Sequence, residues 1–380
     1  MKIEETLRLT ATKGASDLHL MAGGHPAFRV HGQLHIDGDL EPVTAEQLAL
    51  DLEGLVGDQQ MKEFRRELEL DFAVEIAGAG RFRGNAALER GGISLVFRRI
   101  TELLLDMDSL GLPPICRDLA TRPRGLVIIT GQAGSGKSTT LAAMIEHINS
   151  TTSSRIVTLE DPIEYVFHNK RSVITQRQVG DDTRSFAAAL NHVLRQNPDV
   201  IMVGEMRDAA TVAAALTAAE TGHLVLTTAH APGAPLTIDR MIDMFPPHQQ
   251  GQVRSQLAAI LEGVLYQQLV RKADGGGRTA AVEIMLGSSA VRNLVREGKT
   301  HQLYAAIQMA GGQGMRTLDH AVLRLYQAGT ITKEAAMAHA QNREQVEKDL
   351  QAPRSLTGGK VKMTSSTSLN SALGLKGLVR

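Results

Sequence analysis

The 380 residues balance 41 Lys and Arg against 41 Asp and Glu, so no global positive field exists to hold nucleic acid or an anionic membrane. Hydrophobic residues make up 43% of the chain, enough for a sizeable core. The length suits about two to three domains. A single cysteine, Cys116, excludes an intrachain disulfide framework and a four-cysteine zinc module, as expected for a reducing cytoplasm. Residues 1–8 mix acid with base and read as no secretory signal, and apolar runs such as 126–129 and 200–203 are far short of the roughly 20 residues of a membrane helix.

Residues 27–32 and 33–38 alternate and end at turns, which predicts a hairpin, and Thr44 is placed to cap a helix carrying Leu48, Leu52 and Leu55 on one stripe. Strands are expected over 71–76, 81–88 and 93–100, completing a small α+β domain over 1–100. Residues 101–124, with Gly111-Leu112-Pro113-Pro114 and Arg122-Pro123-Arg124-Gly125, read as an interdomain linker.

From residue 125 strands alternate with helices: strands 126–130, 155–159, 200–203 and 224–228, helices 137–149, 184–195 and 209–220. That alternation predicts a mostly parallel sheet covered by helices. Amphipathic helices are expected over 249–269, 288–297, 316–328 and 333–341, with one further strand at 280–285. The domain closes near 345, and 346–380 reads as a disordered tail. From Gln351 that tail is rich in Ser, Thr and Gly and carries Arg354, Lys360, Lys362, Lys376 and Arg380 without an acid.

Chemistry concentrates at four places. Gly131-Gln132-Ala133-Gly134-Ser135-Gly136-Lys137-Ser138 has the spacing of a phosphate-binding loop between a β-rich run and a helix. Its glycines let backbone N–H groups curl around phosphate oxygens, with Lys137 reaching the β- and γ-phosphates and the Ser138 hydroxyl a ligand for Mg²⁺. The apolar run 200–203 ends in Gly204-Glu205, which leaves metal organisation to Glu205. Glu160-Asp161-Pro162-Ile163-Glu164 follows another apolar strand, and such carboxylate density beside a phosphate loop points to metal or water handling, one member serving as general base. His223 and His230 bracket the strand 224–228, with His230 at its far end. Arginines recur nearby, at 81, 83, 98, 99, 177, 184 and 195, and phosphoryl transfer needs such cations, in part from a neighbouring subunit.

Taken in order, these motifs resemble the secretion-type ATPase superfamily of type II secretion and type IV pili: a Walker A motif at 131–138, an Asp box at 155–168, a Walker B motif ending in 203–208 and a His box at 222–234. Ala15-Ser16-Asp17-Leu18-His19-Leu20, Arg81-Phe82-Arg83, Leu110-Gly111-Leu112-Pro113 and Ala290-Val291-Arg292-Asn293-Leu294-Val295-Arg296-Glu297 extend the similarity over residues 5–345, toward the pilus-retraction branch. The His box departs from the usual pattern, reading Thr227-Thr228-Ala229-His230-Ala231-Pro232-Gly233-Ala234, and Gln132-Ala133 stands where Pro-Thr is usual.

The resemblance implies an α/β fold: a RecA-like P-loop core with a PAS-like N-terminal domain and a helical C-terminal region, assembled as a homohexameric ring with ATP and Mg²⁺ between the domains. It implies that residues 131–139, Thr139 included, hold the nucleotide, Lys137 and Ser138 contact phosphate and Mg²⁺, Glu164 is the general base, Glu205 organises the metal, His230 senses the γ-phosphate, and Arg83, Arg98 and Arg195 read nucleotide. The partners implied are an inner-membrane platform protein of the pilus machine and a paralogous retraction ATPase. The membrane is met only peripherally, from the cytoplasmic face, and no nucleic acid is bound. Pilus extension or type II secretion by the same fold, and a non-hydrolysing accessory ring subunit, are the alternatives. An extra N-terminal domain and a four-cysteine module, common in extension and secretion relatives, have no counterpart in this sequence.

Overall fold

The computed structural model describes residues 3–30, 33–100 and 106–351. Its first unit runs α1 (Ile3–Thr12), β1 (Asp17–Met21), β2 (Ala27–Val30), β3 (Gln33–Ile36), α2 (Ala45–Leu55), α3 (Asp58–Glu67), β4 (Glu69–Ile76), β5 (Gly80–Glu89) and β6 (Gly92–Arg99). The strands form one six-stranded antiparallel sheet in the order β3-β2-β1-β6-β5-β4. The expected hairpin is present as β2 and β3, and α2 starts where expected because the Thr44 hydroxyl accepts the Gln47 N–H at 3.1 Å. One sheet face carries Leu18, Phe28, Phe72, Phe82, Leu95 and Phe97 into a common core. The Phe72 and Phe97 rings meet edge to face, their centroids 5.8 Å apart. Helices α1 and α3 and strand β1 have no counterpart among the elements expected from sequence.

The second unit runs α4 (Ile115–Ala120), β7 (Gly125–Thr130), α5 (Lys137–Thr151), β8 (Arg155–Glu160), β9 (Val173–Gln178), α6 (Phe186–Val193), β10 (Val200–Val203), α7 (Ala209–Glu220), β11 (Leu224–Ala229), α8 (Ala234–Asp243), α9 (Pro247–Ile260), β12 (Leu261–Arg271) and β13 (Arg278–Leu286). It closes with α10 (Ser289–Arg296), α11 (Leu303–Met309), α12 (Leu318–Gln327), α13 (Lys333–His339) and α14 (Arg343–Gln351). Its seven-stranded sheet has the order β13-β12-β7-β11-β10-β8-β9, parallel except for the β12–β13 pair. Apolar clusters cover both faces, as a parallel sheet requires. No helix among the described residues is long and apolar enough to cross a membrane.

Three expectations are corrected. The helix expected over 249–269 ends at Ile260, and the chain continues as β12, paired with β7 on one side and β13 on the other. A strand buried on both faces shows no period-two alternation, so its apolar spacing passes for helical. The linker expected over 101–124 is in large part core: Met107, Leu112, Cys116, Leu119 and Ala120 are buried in the cluster that covers one face of the second sheet, while 101–105 lie outside the described residues. Of the tail expected over 346–380, residues 346–351 are helical instead, because α14 runs to Gln351 with Val346 fully buried against the preceding helices; residues 352–380 lie outside the described residues.

Burial pushes the Cys116 thiol up to about 12. The thiolate is the reactive form. Maleimide is therefore expected to leave the native protein unlabelled and to react fully in concentrated guanidinium chloride, as read by mass spectrometry. Rapid native labelling would mean that α4 opens readily from the sheet.

Candidate active site

Strands β7, β8, β10 and β11 run parallel, so their carboxyl ends share one edge of the sheet. Nucleotide chemistry in open α/β sheets occupies that edge. Each motif singled out in the sequence arrives there from a different strand.

The fully buried β7 delivers Gly131, and α5 begins at Lys137 behind Gly136, whose φ of +84° is the left-handed conformation a glycine adopts without strain. No side chain caps this helix end, leaving its first N–H groups directed at the loop. Lys137 is almost buried, and its ammonium donates to the carbonyls of Gly131 and Gln132 at 3.0 Å each. Desolvation lowers its pKa, opposed by the charges of Glu205 and Glu164. The loop is braced from β12: the Gln267 amide donates to the Ser135 carbonyl at 2.7 Å and accepts the Thr140 hydroxyl at 2.8 Å. Gln267 escaped the sequence reading because its strand was taken as helix.

Gly131 has a φ of +151°, and a Cβ there would lie 2.5 Å from the Gln267 carbonyl and 2.6 Å from the Ser135 hydroxyl. Gly131→Ala should therefore displace the loop and destabilise the protein by about 1–3 kcal/mol. Thermal denaturation with and without ADP measures both effects: a lower melting temperature and a reduced shift on adding nucleotide.

Glu160 ends β8 and is buried, and its carboxylate accepts from the Thr158 hydroxyl at 2.6 Å and the Gln176 amide at 3.0 Å. Burial raises its pKa in spite of these bonds, so it is a poor candidate for a mobile charge. Asp161-Pro162 is a cis peptide, and Glu164 follows it, exposed on the wall of the cleft. The Tyr165 hydroxyl bonds that of Thr139 at 2.8 Å, tying this loop to α5.

Glu205 follows β10 and is 9% exposed; its carboxylate contacts the Arg207 guanidinium and lies 3.3 Å from His230 Nε2. Its backbone setting comes from β11, where the Thr228 hydroxyl donates to the Gly204 carbonyl at 2.6 Å. A Cβ at Gly204 would stand 3.3 Å from the Leu159 carbonyl, so the glycine lets β8 and β10 end side by side. His230 follows β11, and its carbonyl accepts from Arg240 of α8.

Ala133, Gly134, Lys137 and Ser138 therefore line one cleft of about 250 Å³ with Glu164, Glu205 and His230. Arg83 reaches it from β5 of the first unit, its guanidinium 3.6 Å from Asp71. Arg98 does not line it and instead pairs with Asp17 at 2.8 Å; Arg195 sits in the turn after α6, also away from it. Arg207, Thr228 and Tyr165, which line the cleft, and Gln176, which bonds Glu160 and the Tyr165 carbonyl behind it, are functional candidates that sequence reasoning missed. Single polar residues on strands, such as Thr228 and Gln176, or in the loops that follow them, such as Arg207 and Tyr165, carry no motif of their own, and only the fold brings them to the site.

A phosphate-binding loop between a buried strand and its helix, opposed by carboxylates from two neighbouring strand ends, defines a P-loop ATPase built on a RecA-like sheet. Residues 2–363 match the family described as Type II/IV secretion system protein, and the chain belongs to that family. It is similar to the type IV pilus retraction ATPase PilT of Pseudomonas aeruginosa, 46% identical over 340 residues that span 90% of this chain and 98% of that one. A twitching motility protein of Neisseria gonorrhoeae is 45% identical over 84% of this chain and 85% of its own length. The crystal structure of the pilus retraction motor PilT with bound ADP superposes with a TM-score of 0.85 at 42% identity, covering 92% of this chain and 99% of that one. The ATPase DotB of Legionella pneumophila aligns with a TM-score of 0.78 at 26% identity, over 88% and 94% of the two chains.

Proposed function

We infer that this chain is an ATP-hydrolysing motor that drives type IV pilus retraction. The observation that carries the reading is the convergence of Lys137, Ser138, Glu164, Glu205 and His230 on one cleft, in a chain similar to PilT over nearly its whole length. ATP is the substrate, its phosphates held by the 131–139 backbone and the Lys137 ammonium. Ser138 and Glu205 fit a phosphate-bound Mg²⁺, which keeps several waters and needs only one or two protein oxygens. Bound there, the ion would neutralise charge on the phosphates. Glu164 takes the proton of the attacking water, and its exposed place on the cleft wall suits a base that must meet solvent. His230, against Glu205, reads the γ-phosphate position.

The working assembly in this reading is a homohexameric ring. Arg98 and Arg195, which do not face the cleft of their own chain, serve a neighbour's nucleotide. The ring works at the cytoplasmic face of the inner membrane, against the platform protein of the pilus machine and beside a paralogous retraction ATPase. The N-terminal unit supplies Arg83, and hydrolysis becomes motion where that unit meets the cleft of the P-loop unit.

The test is phosphate release from the purified protein with its mass measured under the same conditions, followed by pilus shortening in cells that carry it as their sole retraction ATPase. Turnover by a six-fold particle, with shortening of the fibre, is the expected result. An intact ring that binds ATP without turning it over would assign the protein to an accessory role.

A further inference from the structure

We propose that Gln176 and Gln178 of β9 are positioning residues that set the Glu164 carboxylate, and that Arg81 of the N-terminal sheet acts on it through Gln178. The two glutamines are two apart on a strand and therefore share a face. Gln178 Oε1 accepts the N–H of Ile163 at 3.2 Å, and Gln176 Nε2 donates to the carbonyl of Tyr165 at 2.8 Å. The residue before Glu164 and the residue after it are thus held by neighbouring amides of one strand. Gln176 also accepts the Phe167 N–H at 2.8 Å and donates to Glu160 at 3.0 Å. An amide supplies donor and acceptor together, which a carboxylate does not.

Gln178 reaches outward as well. Its Oε1 accepts from Arg81 Nη2 at 2.9 Å, and its Nε2 donates to Asp181 at 2.5 Å. Gln178 is 6% exposed, so water cannot replace bonds it loses. Arg81 lies on β5 two residues before Arg83, and its buried Nε has no partner among the described residues. The contact through Nη2 therefore joins the N-terminal sheet to the loop that carries Glu164. Seating that sheet on the P-loop unit places the base, and lifting it frees the loop.

The inference rests on Glu164 as the general base, so Glu164→Gln is measured beside Gln178→Ala, Gln176→Ala, Arg81→Ala and a paired Gln178→Glu and Asp181→Asn variant in the full-length protein. Displacing a reacting group by about 1 Å costs up to ~100-fold in rate. Gln178→Ala and Gln176→Ala should lower kcat by about 10- to 100-fold with KM for ATP unchanged, because the phosphate loop is untouched. A misfolded variant would lose both. Gln178→Glu keeps the acceptor for Ile163 and Arg81 but loses the donor to Asp181, so it is paired with Asp181→Asn, whose amide restores that bond in reverse, and the pair should recover most of the rate. Arg81→Ala combined with Gln178→Ala should be no slower than Gln178→Ala alone. An inactive Glu164→Gln beside glutamine variants of wild-type kcat overturns the clamp and leaves the base. A Glu164→Gln enzyme with wild-type kcat removes the base and the clamp with it. Additive losses from Arg81 and Gln178, or a paired Gln178→Glu and Asp181→Asn variant as slow as Gln178→Ala, overturn the link to the N-terminal sheet.

Discussion

Lys137→Ala is expected to lower kcat/KM for ATP by about 10³-fold, the scale on which one preorganised cation or donor on a transferring phosphoryl group acts. That corresponds to about 4 kcal/mol of transition-state stabilisation. The ammonium sits between the Gly131 and Gln132 carbonyls at the start of α5, and no other lysine or arginine of the second unit's phosphate loop can take its place. The fold should survive the change. Burial lowers the Lys137 pKa, meaning that the native state holds this charge at a cost which alanine relieves. Thermal denaturation checks both parts: a melting temperature equal to or above wild type, with the stabilisation by ATP largely lost, since a ligand stabilises only in proportion to its affinity for the folded state. A variant that still turns over at the wild-type rate would remove the loop from catalysis.

Glu205→Gln is expected to lower kcat by about 10²- to 10⁴-fold while leaving ADP binding in place, the range for a carboxylate that handles protons or charge in the transition state. The amide has the same shape, so β10 and its neighbours keep their register. What disappears is the negative charge that faces Arg207, His230 and Lys137. Single-turnover phosphate release separates this from a binding defect. Wild-type turnover would shift the assignment toward Glu160, although that carboxylate is buried and its pKa is raised by desolvation.

The phosphate loop was legible because its function is local. Six backbone positions and one helix start make the cradle, and their spacing is written consecutively in residues 131–138. Glu164, Glu205 and His230 were legible for a related reason: each follows an apolar run, and parallel strands deliver their ends to a common edge. Their nearness to Lys137 is nevertheless a property of the strand order, in which β10 lies between β8 and β11. Strand β12 was misread because both its faces are buried, so no alternation marks it, and with it Gln267 was missed. Residues 107–120 were misread because Gly and Pro announce turns without saying whether a turn lies against solvent or against a core.

By itself the sequence determined the α/β class, the nucleotide loop, the acidic strand ends and the resemblance to secretion ATPases, because each of these depends on residues near one another along the chain. Only the tertiary structure decided that Gln176 and Gln178 flank Glu164, that Arg81 reaches Gln178 across 97 residues, and that Arg98 faces Asp17 rather than its own cleft. Those are pairings of single polar groups over long loops. Polar residues scattered on strands are compatible with many partners, and the partner is selected by the burial of the apolar neighbours that fix where each strand lies.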